Sequence, residues 1–190
     1  MLAAIDFETT GLIAGWHEPI QIAIVPLGKD LEPIITERFY WRIRPNHPER
    51  ASREASETHR LDLDAEAPDE DTVADWLIEW ISRLSRLPGL SYGRLQPLCH
   101  NWAFESAFFN AWLGRPLVEL LFGYHARDTV SVAAAINDRA TLCGEKVPFK
   151  SLSLKAICKR LQIVNDRPHD ALGDAVATAR VYRRLVAGVS

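Results

Sequence analysis

The sequence predicts an α/β fold in which helices cover a mixed sheet, and two observations support this. Three strand-like apolar runs come early in the chain, and helical periodicity dominates the rest, interrupted by one short strand. Strands followed by such alternation are typical of a sheet with helices packed on it. The 190 residues show no repeat, low-complexity tract or linker, so residues 1–190 are predicted to form a single domain.

The strands are predicted from short apolar runs bounded by turn residues. Residues 2–8 (LAAIDFE) form a buried strand that ends at a Thr-Thr-Gly turn. Residues 19–27 and 34–43 are apolar or alternating and lie on either side of a turn at 28–30, which predicts a hairpin. A further short strand is predicted at 96–100.

The helices are predicted from apolar spacing and from their stop signals. Residues 70–87 carry apolar side chains at helical spacing and stop at Pro88-Gly89. An apolar helix near 104–113 ends at Gly114. The remaining helices are predicted at 129–137, 151–161 and about 170–187.

Composition excludes several classes of protein. An apolar fraction of 47% with 25% charged residues is typical of a globular domain and excludes a disordered chain. No apolar run approaches the ~20 residues that span a bilayer, and residues 1–7 lack the basic start of a signal peptide. The three cysteines form no CxxC pair and read as reduced thiols, which argues against structural zinc and predicts a cytoplasmic location.

The net charge of −3 is unevenly distributed along the chain. Residues 57–71 hold seven acids and one Arg, so the remainder of the chain carries about +3. We expect this acidic segment to be a solvated loop that faces away from any polyanion bound elsewhere.

Two carboxylates interrupt the first predicted strand. Asp6 and Glu8 lie two residues apart and therefore on one face of the sheet. Buried side by side they would repel each other and lose hydration unless a cation lay between them. An edge strand with a solvated face is the alternative, but the apolar neighbours Ala4, Ile5 and Phe7 favour a central strand.

Two more carboxylates occupy helices. Glu105 lies in the first turn of an apolar helix, where an acid is also favoured by the helix dipole alone. Asp174 shares a helix face with Ala171 and Thr178, whose small side chains would let a ligand approach. A solvent-facing acid on an amphipathic helix is the alternative interpretation of Asp174.

His169 precedes the last helix, next to Asp170, the predicted N-cap. A lone His is usually an ordinary surface residue, but beside a carboxylate cluster it becomes a candidate general base. A ligand set of oxygen donors selects Mg²⁺ or Mn²⁺ over zinc or copper. Two such ions roughly 3.5–4 Å apart serve in-line phosphoryl displacement, so the predicted chemistry is phosphodiester hydrolysis.

Three segments resemble the motifs of the DEDDh 3′–5′ exonucleases, a family that includes ribonuclease T, oligoribonuclease and the proofreading subunit of bacterial DNA polymerase III. They are DFETTG at 6–11, HNxxFE at 100–105 and HDALGDAxAT at 169–178. SETHRL at 56–61 is similar to the family's His-Gly-Ile segment, and residues 153–163 to its helix before the third motif. The resemblance covers nearly the whole chain and implies the ribonuclease H-like fold, a mixed five-stranded sheet flanked by helices.

The resemblance also implies roles for the acidic residues and the histidine. Asp6 would bridge two divalent cations, Mg²⁺ or Mn²⁺. Glu8 and Asp174 would complete the first metal site, and Glu105 would serve the second. His169 would deprotonate the water that attacks the terminal phosphodiester, and nucleoside 5′-monophosphates would be released.

Further residues would bind the 3′ end of single-stranded or frayed nucleic acid, with DNA favoured and RNA also compatible. By the resemblance, Leu12 wedges between the last two bases and Thr9 contacts the terminal nucleotide through its backbone. Phe104 and His59 would pack against that nucleotide. Six basic residues outside the acidic segment are candidate phosphate contacts: Arg44, Arg50, Arg53, Lys146, Lys150 and Lys155.

The chain departs from the family pattern at two positions. Glu105 stands where the family has Asp, and Arg60 stands where its His-Gly-Ile segment has Gly. The first departure leaves an alternative function, a catalytically impaired nucleic-acid-binding or polymerase-associated module that keeps the fold. A zinc hydrolase is disfavoured by the oxygen ligand set.

Trp76 and Trp80, one turn apart, are interpreted as core residues, with a docking face for a polymerase or a second copy as the alternative.

Overall fold

The computed structural model describes residues 1–59, 66–86 and 94–188, apart from the side chains of Thr58 and His59. It contains a five-stranded sheet in the order β3-β2-β1-β4-β5. Strands β1–β2 and β2–β3 pair antiparallel, whereas β1–β4 and β4–β5 pair parallel. The strands are β1 (Leu2–Thr9), β2 (Pro19–Pro26), β3 (Phe39–Arg42), β4 (Gln96–Cys99) and β5 (Arg127–Asp128). The predicted mixed sheet is confirmed, and the central position of β1 excludes the edge-strand alternative.

Seven helices are described, five of them at predicted places. They are α1 (Arg53–His59), α2 (Glu70–Leu84), α3 (Trp102–Leu113), α4 (Arg115–Leu121), α5 (Thr129–Leu142), α6 (Leu154–Leu161) and α7 (Ala171–Val186). The pattern did not predict α1, α4 or β5, because elements of two to seven residues are too short to show a period. Over the described residues, no helix combines the length and apolarity needed to cross a bilayer.

The predicted hairpin is partly wrong, because β3 is shorter than residues 34–43. Residues Ile35–Glu37 form a 3₁₀ turn instead of a strand. The indole of Trp80 on α2 donates a hydrogen bond to the carbonyl of Glu37, 3.1 Å from nitrogen to oxygen. Pairing with β2 begins only at Phe39, opposite Ile24. A contact with α2 thus replaces strand pairing in the first part of this run.

The acidic segment at 57–71 is helical at both ends rather than a loop throughout. Glu57 belongs to α1, and Asp69 caps α2 by accepting a hydrogen bond from the Thr72 backbone N–H. Residues 60–65, including Arg60, lie outside the described residues. Asp69 is the N-cap of α2, and Glu70 and Asp71 lie in its first turn, where negative charge interacts favourably with the helix dipole. The acids at this end of the segment therefore stabilise a helix and not a loop.

The two candidate docking tryptophans differ in burial. Trp80 is buried and its ring lies 5.5 Å from that of Phe39, so the core interpretation is confirmed for it. Trp76 is half-buried and packs on Trp41 with ring centroids 4.4 Å apart.

The sheet has two different faces, and β1 contributes to both. Its odd-numbered side chains Ala3, Ile5 and Phe7 lie in a large core with residues of α2 and α3. On the other face, Ala4 packs against Ala171 and Ala175 of α7. Alanines on both sides let α7 approach the sheet closely, and Asp6 and Glu8 project from this face of β1.

Candidate active site

Three carboxylates converge where β1 ends and α7 begins. Asp6, Glu8 and Asp174 each offer an oxygen atom, and these oxygens all lie within 4.8 Å of one another. Glu8 is buried, and the other two side chains are half-buried. Asp174 therefore lies on the face of α7 that carries the buried Ala171 and Thr178, as the helical spacing predicted.

A bulge and a tight turn place Glu8 at the end of β1. The register with β2 shifts between Glu8 and Thr9, which re-aims the chain at this point. The Thr9 hydroxyl then donates to the carbonyl of Gly11 at 2.7 Å, and the Thr10 backbone N–H donates to the carbonyl of Glu18 at 2.9 Å. The loop after the strand is thus held back against β2, and Glu8 stays beside Asp6.

Burial and mutual repulsion raise the pKa values in this cluster. Burial raises the pKa of Asp6 well above its usual range, with Glu105, Glu8 and Asp174 adding to the effect. Burial, then Asp174 and Asp170, raise the pKa of Glu8 to about 8. Carboxylates this close are stable as ions only when a positive charge neutralises them.

The loop before α7 orients Asp174. Asn165 donates from Nδ2 to one carboxylate oxygen of Asp174 at 2.5 Å, and the His169 backbone N–H donates to the other at 3.3 Å. His169 adopts a left-handed backbone (φ 63°) that lets the loop turn over the helix end. Gly173 is required there, because a side chain would collide with the carbonyl of Arg167. Burial raises the pKa of Asp174, and these hydrogen bonds oppose the shift.

Asp170 fixes the start of α7 to the sheet. Its carboxylate accepts a hydrogen bond from the Gly173 backbone N–H at 3.0 Å, which confirms the predicted N-cap. Its second oxygen accepts from the Tyr40 hydroxyl of β3 at 2.8 Å. Burial, followed by this hydrogen bond, raises the pKa of Tyr40 to about 12.

Glu105 is buried next to the cluster but is not one of its three members. Its side chain is 3% exposed, and Oε2 finds no hydrogen-bond partner in the described part of the chain. Burial raises its pKa well above the usual range, and Glu105 is the charged neighbour with the largest effect on the pKa of Asp6. A buried carboxylate oxygen without a partner is costly unless a cation or water satisfies it.

The sequence pattern missed Asp128, which holds the helix that carries Glu105. Its carboxylate accepts hydrogen bonds from the backbone N–H of Trp102 at 2.7 Å and of Asn101 at 3.4 Å. It also caps α5 by accepting from Val130 at 2.8 Å. One carboxylate therefore joins the first turns of α3 and α5. An acid directly before a helical run is an N-cap signal, so the α5 cap was detectable, but the α3 contacts were not.

The four residues proposed to contact the substrate differ in their exposure to solvent. Leu12 is 77% exposed on the loop after β1, whereas Thr9 is buried. Phe104 is half-buried, with its ring 4.8 Å from that of Phe108. The side chain of His59 lies outside the described residues.

The donor chemistry of the site fits a hard divalent cation. Every carboxylate in and beside the cluster offers oxygen, and no thiolate or imidazole is among the three converging ligands. Oxygen-only sites of this kind suit Mg²⁺ or Mn²⁺. The buried Oε2 of Glu105, which has no hydrogen-bond partner among the residues described, adds a fourth group that such an ion would satisfy.

The fold is shared with solved nucleases. Exonuclease I from Methylocaldum szegediense matches with a TM-score of 0.71 and 24% identity over 97% of this chain and 40% of its own. Cell-death related nuclease 4 matches with 0.71 and 17% identity over 98% and 63%. The nuclease domain of 3′hExo, described as a DEDDh family member bound to rAMP, matches with 0.66 and 21% identity over 98% and 91%. The chain thus spans less than two thirds of the first two proteins.

The family assignment comes from the sequence itself. No curated protein matches the chain significantly. The profile of the RNase T family, described as exonuclease, matches residues 3–182. Because this match covers nearly the whole chain, the protein belongs to the RNase T exonuclease family, with the ribonuclease H-like fold of its DEDDh structural neighbours.

Proposed function

We propose that the protein is a metal-dependent 3′–5′ exonuclease that hydrolyses the terminal phosphodiester of single-stranded or frayed nucleic acid. The convergence of Asp6, Glu8 and Asp174 within 4.8 Å, beside the buried Glu105, is the observation that carries this proposal. Like charges are brought together here at a cost in stability, which is typical of a metal-dependent site.

Two divalent cations, Mg²⁺ or Mn²⁺, would be held by these four residues. Asp6 would contact both ions, Glu8 and Asp174 the first, and Glu105 the second. When bound, such ions stabilise the attacking and leaving oxygens of an in-line displacement at phosphorus. The protein's part is to fix the carboxylates, through the β1 bulge for Glu8 and through the Asn165 hydrogen bond for Asp174.

His169 would act as the general base. Its backbone N–H bonds to Asp174, and its ring is close enough to lower the pKa of that carboxyl. A ring nitrogen of His169 takes the proton of the attacking water while the new P–O bond forms. The bond between the phosphorus and the 3′-oxygen of the penultimate nucleotide breaks. That oxygen takes up a proton from solvent and stays on the shortened strand as its new 3′-hydroxyl. The terminal nucleotide leaves as a nucleoside 5′-monophosphate.

The substrate would be a nucleic acid 3′ end, and its sugar type stays open between DNA, which we favour, and RNA. The exposure of Leu12 on the loop beside Glu8 supports its role as a wedge between the last two bases. Thr9, Phe104 and His59 would hold the terminal nucleotide. Solved neighbours include an Exonuclease I bound to a dT13 oligonucleotide and a 3′-exonuclease that recognises a histone mRNA stem-loop, so both sugar types occur on this fold.

Glu105 is proposed as a functional replacement for the usual Asp. Its burial and its effect on the pKa of Asp6 support this role despite the longer side chain. We expect Glu105→Ala to abolish metal-dependent turnover and Glu105→Asp to retain it. Full activity of Glu105→Ala would show that Glu105 is not a ligand.

The experiment is a degradation assay on 5′-labelled single-stranded DNA, single-stranded RNA and blunt duplex, each with Mg²⁺, Mn²⁺ or EDTA. Asp6→Asn is compared with Asp138→Asn, which changes an exposed acid on α5 outside the site. The expected result is a metal-dependent ladder that shortens from the 3′ end, absent only in Asp6→Asn. Retained binding without cleavage in either metal would favour the impaired nucleic-acid-binding module instead.

A further inference from the structure

A groove lined by basic side chains lies between the segment that follows α5 and helix α6. It has a volume of about 870 Å³ and is lined by Lys146 and Lys150 on one side and Lys159 and Arg160 on the other. We call these four residues and the space between them the basic groove. Among the described residues that line it, none is acidic and none is aromatic.

The charges of the basic groove have no acidic partner among the described residues. All four side chains are exposed, and none forms an ion pair within the described ranges 1–59, 66–86 and 94–188. Other candidate phosphate contacts differ: Arg44 lies 3.8 Å from Asp69, and Arg53 lies 2.7 Å from Glu57. Four uncompensated cations on one concave surface of a chain with net charge −3 create a local site for a polyanion.

The groove has rigid walls. Phe149, between the two lysines of one wall, is 3% exposed. Both its backbone groups bond to the Asn137 side chain of α5, N–H to Oδ1 at 3.0 Å and carbonyl to Nδ2 at 2.7 Å. The other wall is α6, which is capped by Ser153 and packs its apolar face against α7. The cations are therefore presented by a fixed scaffold.

The basic groove also adjoins the candidate active site. Ile157 and Cys158 of α6 lie in one buried cluster with Ala177 of α7, three residues after Asp174. On the side of α6 opposite the groove, Cys158 is near enough to Asp174 for the carboxylate to affect its pKa. Helix α6 therefore separates the carboxylate cluster from the groove by its own width.

We propose that the basic groove binds the backbone phosphates of the single strand that continues 5′ from the terminal nucleotide. This inference rests on the proposed function, because it assumes that the 3′ end lies at the carboxylate cluster. With cations and no aromatic side chain, the groove contacts phosphates without stacking on bases, so it adds affinity with strand length and not with sequence.

The test measures binding in EDTA, where no metal-dependent cleavage occurs, for oligonucleotides of two to twelve nucleotides. Lys150→Gln/Lys159→Gln is compared with Lys29→Gln/Arg184→Gln, which removes two exposed cations outside the groove. The groove variant should lose on the order of 50-fold in affinity for the longest strand at 50 mM salt, and its slope of log affinity against log salt should fall by about 1.4. Dinucleotide affinity should not change.

The possible results distinguish failure of the groove proposal from failure of the exonuclease proposal. Equal losses in the two double variants, or an equal loss for the dinucleotide, would overturn the groove proposal. Lys150→Arg/Lys159→Arg should restore long-strand binding, and failure to do so would also count against it. If the wild-type protein cleaves nothing with Mg²⁺ or Mn²⁺ but shows groove-dependent binding, the exonuclease proposal fails. Phosphate binding by the groove then stands, without the placement of the 3′ end at the carboxylate cluster.

Discussion

The two faces of strand β1 differ in what they do. The face toward α2 and α3 buries large side chains, including Ile5, Phe7, Phe108 and Phe109. The face toward α7 buries Ala4 near the start of the strand and then carries Asp6 and Glu8. The first face contributes apolar burial to stability, whereas the second brings like charges together. Because successive side chains of a strand point to opposite faces, the residues of β1 that stabilise the fold and those proposed to act in catalysis lie on different sides of the sheet.

Changing Asp6 should produce the largest effect on the carboxylate face. Asp6→Asn removes a proposed ligand of both metals, so we expect nuclease activity to fall by about 10³-fold or more. The same change removes one of several mutually repelling carboxyl groups, so metal-free stability should rise by about 0.5–2 kcal/mol. Activity assays and urea unfolding in EDTA check the two directions. A variant that loses stability in EDTA would contradict the repulsion argument.

The opposite result is expected on the apolar face. Phe109 is fully buried, and its ring lies 4.6 Å from that of Phe7 and 4.7 Å from that of Phe122. Phe109→Ala should reduce the free energy of unfolding by about 3–5 kcal/mol through lost burial and a cavity. Metal affinity, measured at a temperature where the variant is folded, should stay close to wild type. A large loss of metal affinity would show that the two faces are not separable.

The pH dependence of stability sharpens the comparison. Because the pKa of Glu8 is raised to about 8 by burial first and by its acidic neighbours, the folded state binds a proton that the unfolded state releases near pH 4.5. Without metal, Glu8 should therefore reduce stability progressively from about pH 4.5 to pH 8, and no further above that.

Denaturant unfolding in EDTA across this pH range checks the expectation. Glu8→Gln should flatten the decline, and adding Mg²⁺ to the wild type should oppose it by favouring the ionised carboxylate. Stability that rises with pH over the same interval would contradict the sign. Asp138→Asn, which changes an exposed acid on α5, should leave the slope unchanged.

Sequence patterns predicted the parts of this molecule that depend on local periodicity. The strand period placed Asp6 and Glu8 on one face, and the helix period placed Asp174 with Ala171 and Thr178. The expectation that these two groups meet came from the resemblance to the DEDDh exonucleases. Contacts between distant segments were not predictable in this way. The Trp80 hydrogen bond to Glu37 that shortens β3, the Asn165 contact with Asp174 and the two-helix role of Asp128 each depend on tertiary placement.

Asp128 offers the smallest and most specific comparison, because Asp69 does similar work elsewhere. Each carboxylate caps a helix, Asp128 at α5 and Asp69 at α2. Removing either cap should cost roughly 0.5–2 kcal/mol of stability. Only Asp128 also holds the start of α3, three residues before Glu105. Asp128→Ala should therefore also shift Glu105, which Asp69→Ala should not.

The Mg²⁺ concentration that gives half-maximal nuclease activity distinguishes these two caps. We expect it to rise roughly tenfold in Asp128→Ala, since residues that orient metal ligands typically affect metal affinity by this amount or more. Asp69→Ala should unfold as early in urea but need no more Mg²⁺ than the wild type. Asp128→Asn keeps an oxygen that can accept from Trp102, so it should recover most of the Mg²⁺ response. Equal Mg²⁺ requirements in both alanine variants would show that Asp128 acts only as a helix cap. The Mg²⁺ requirement is needed for this conclusion, because a loss of stability is expected from removing either cap and does not identify a contact that positions a metal ligand.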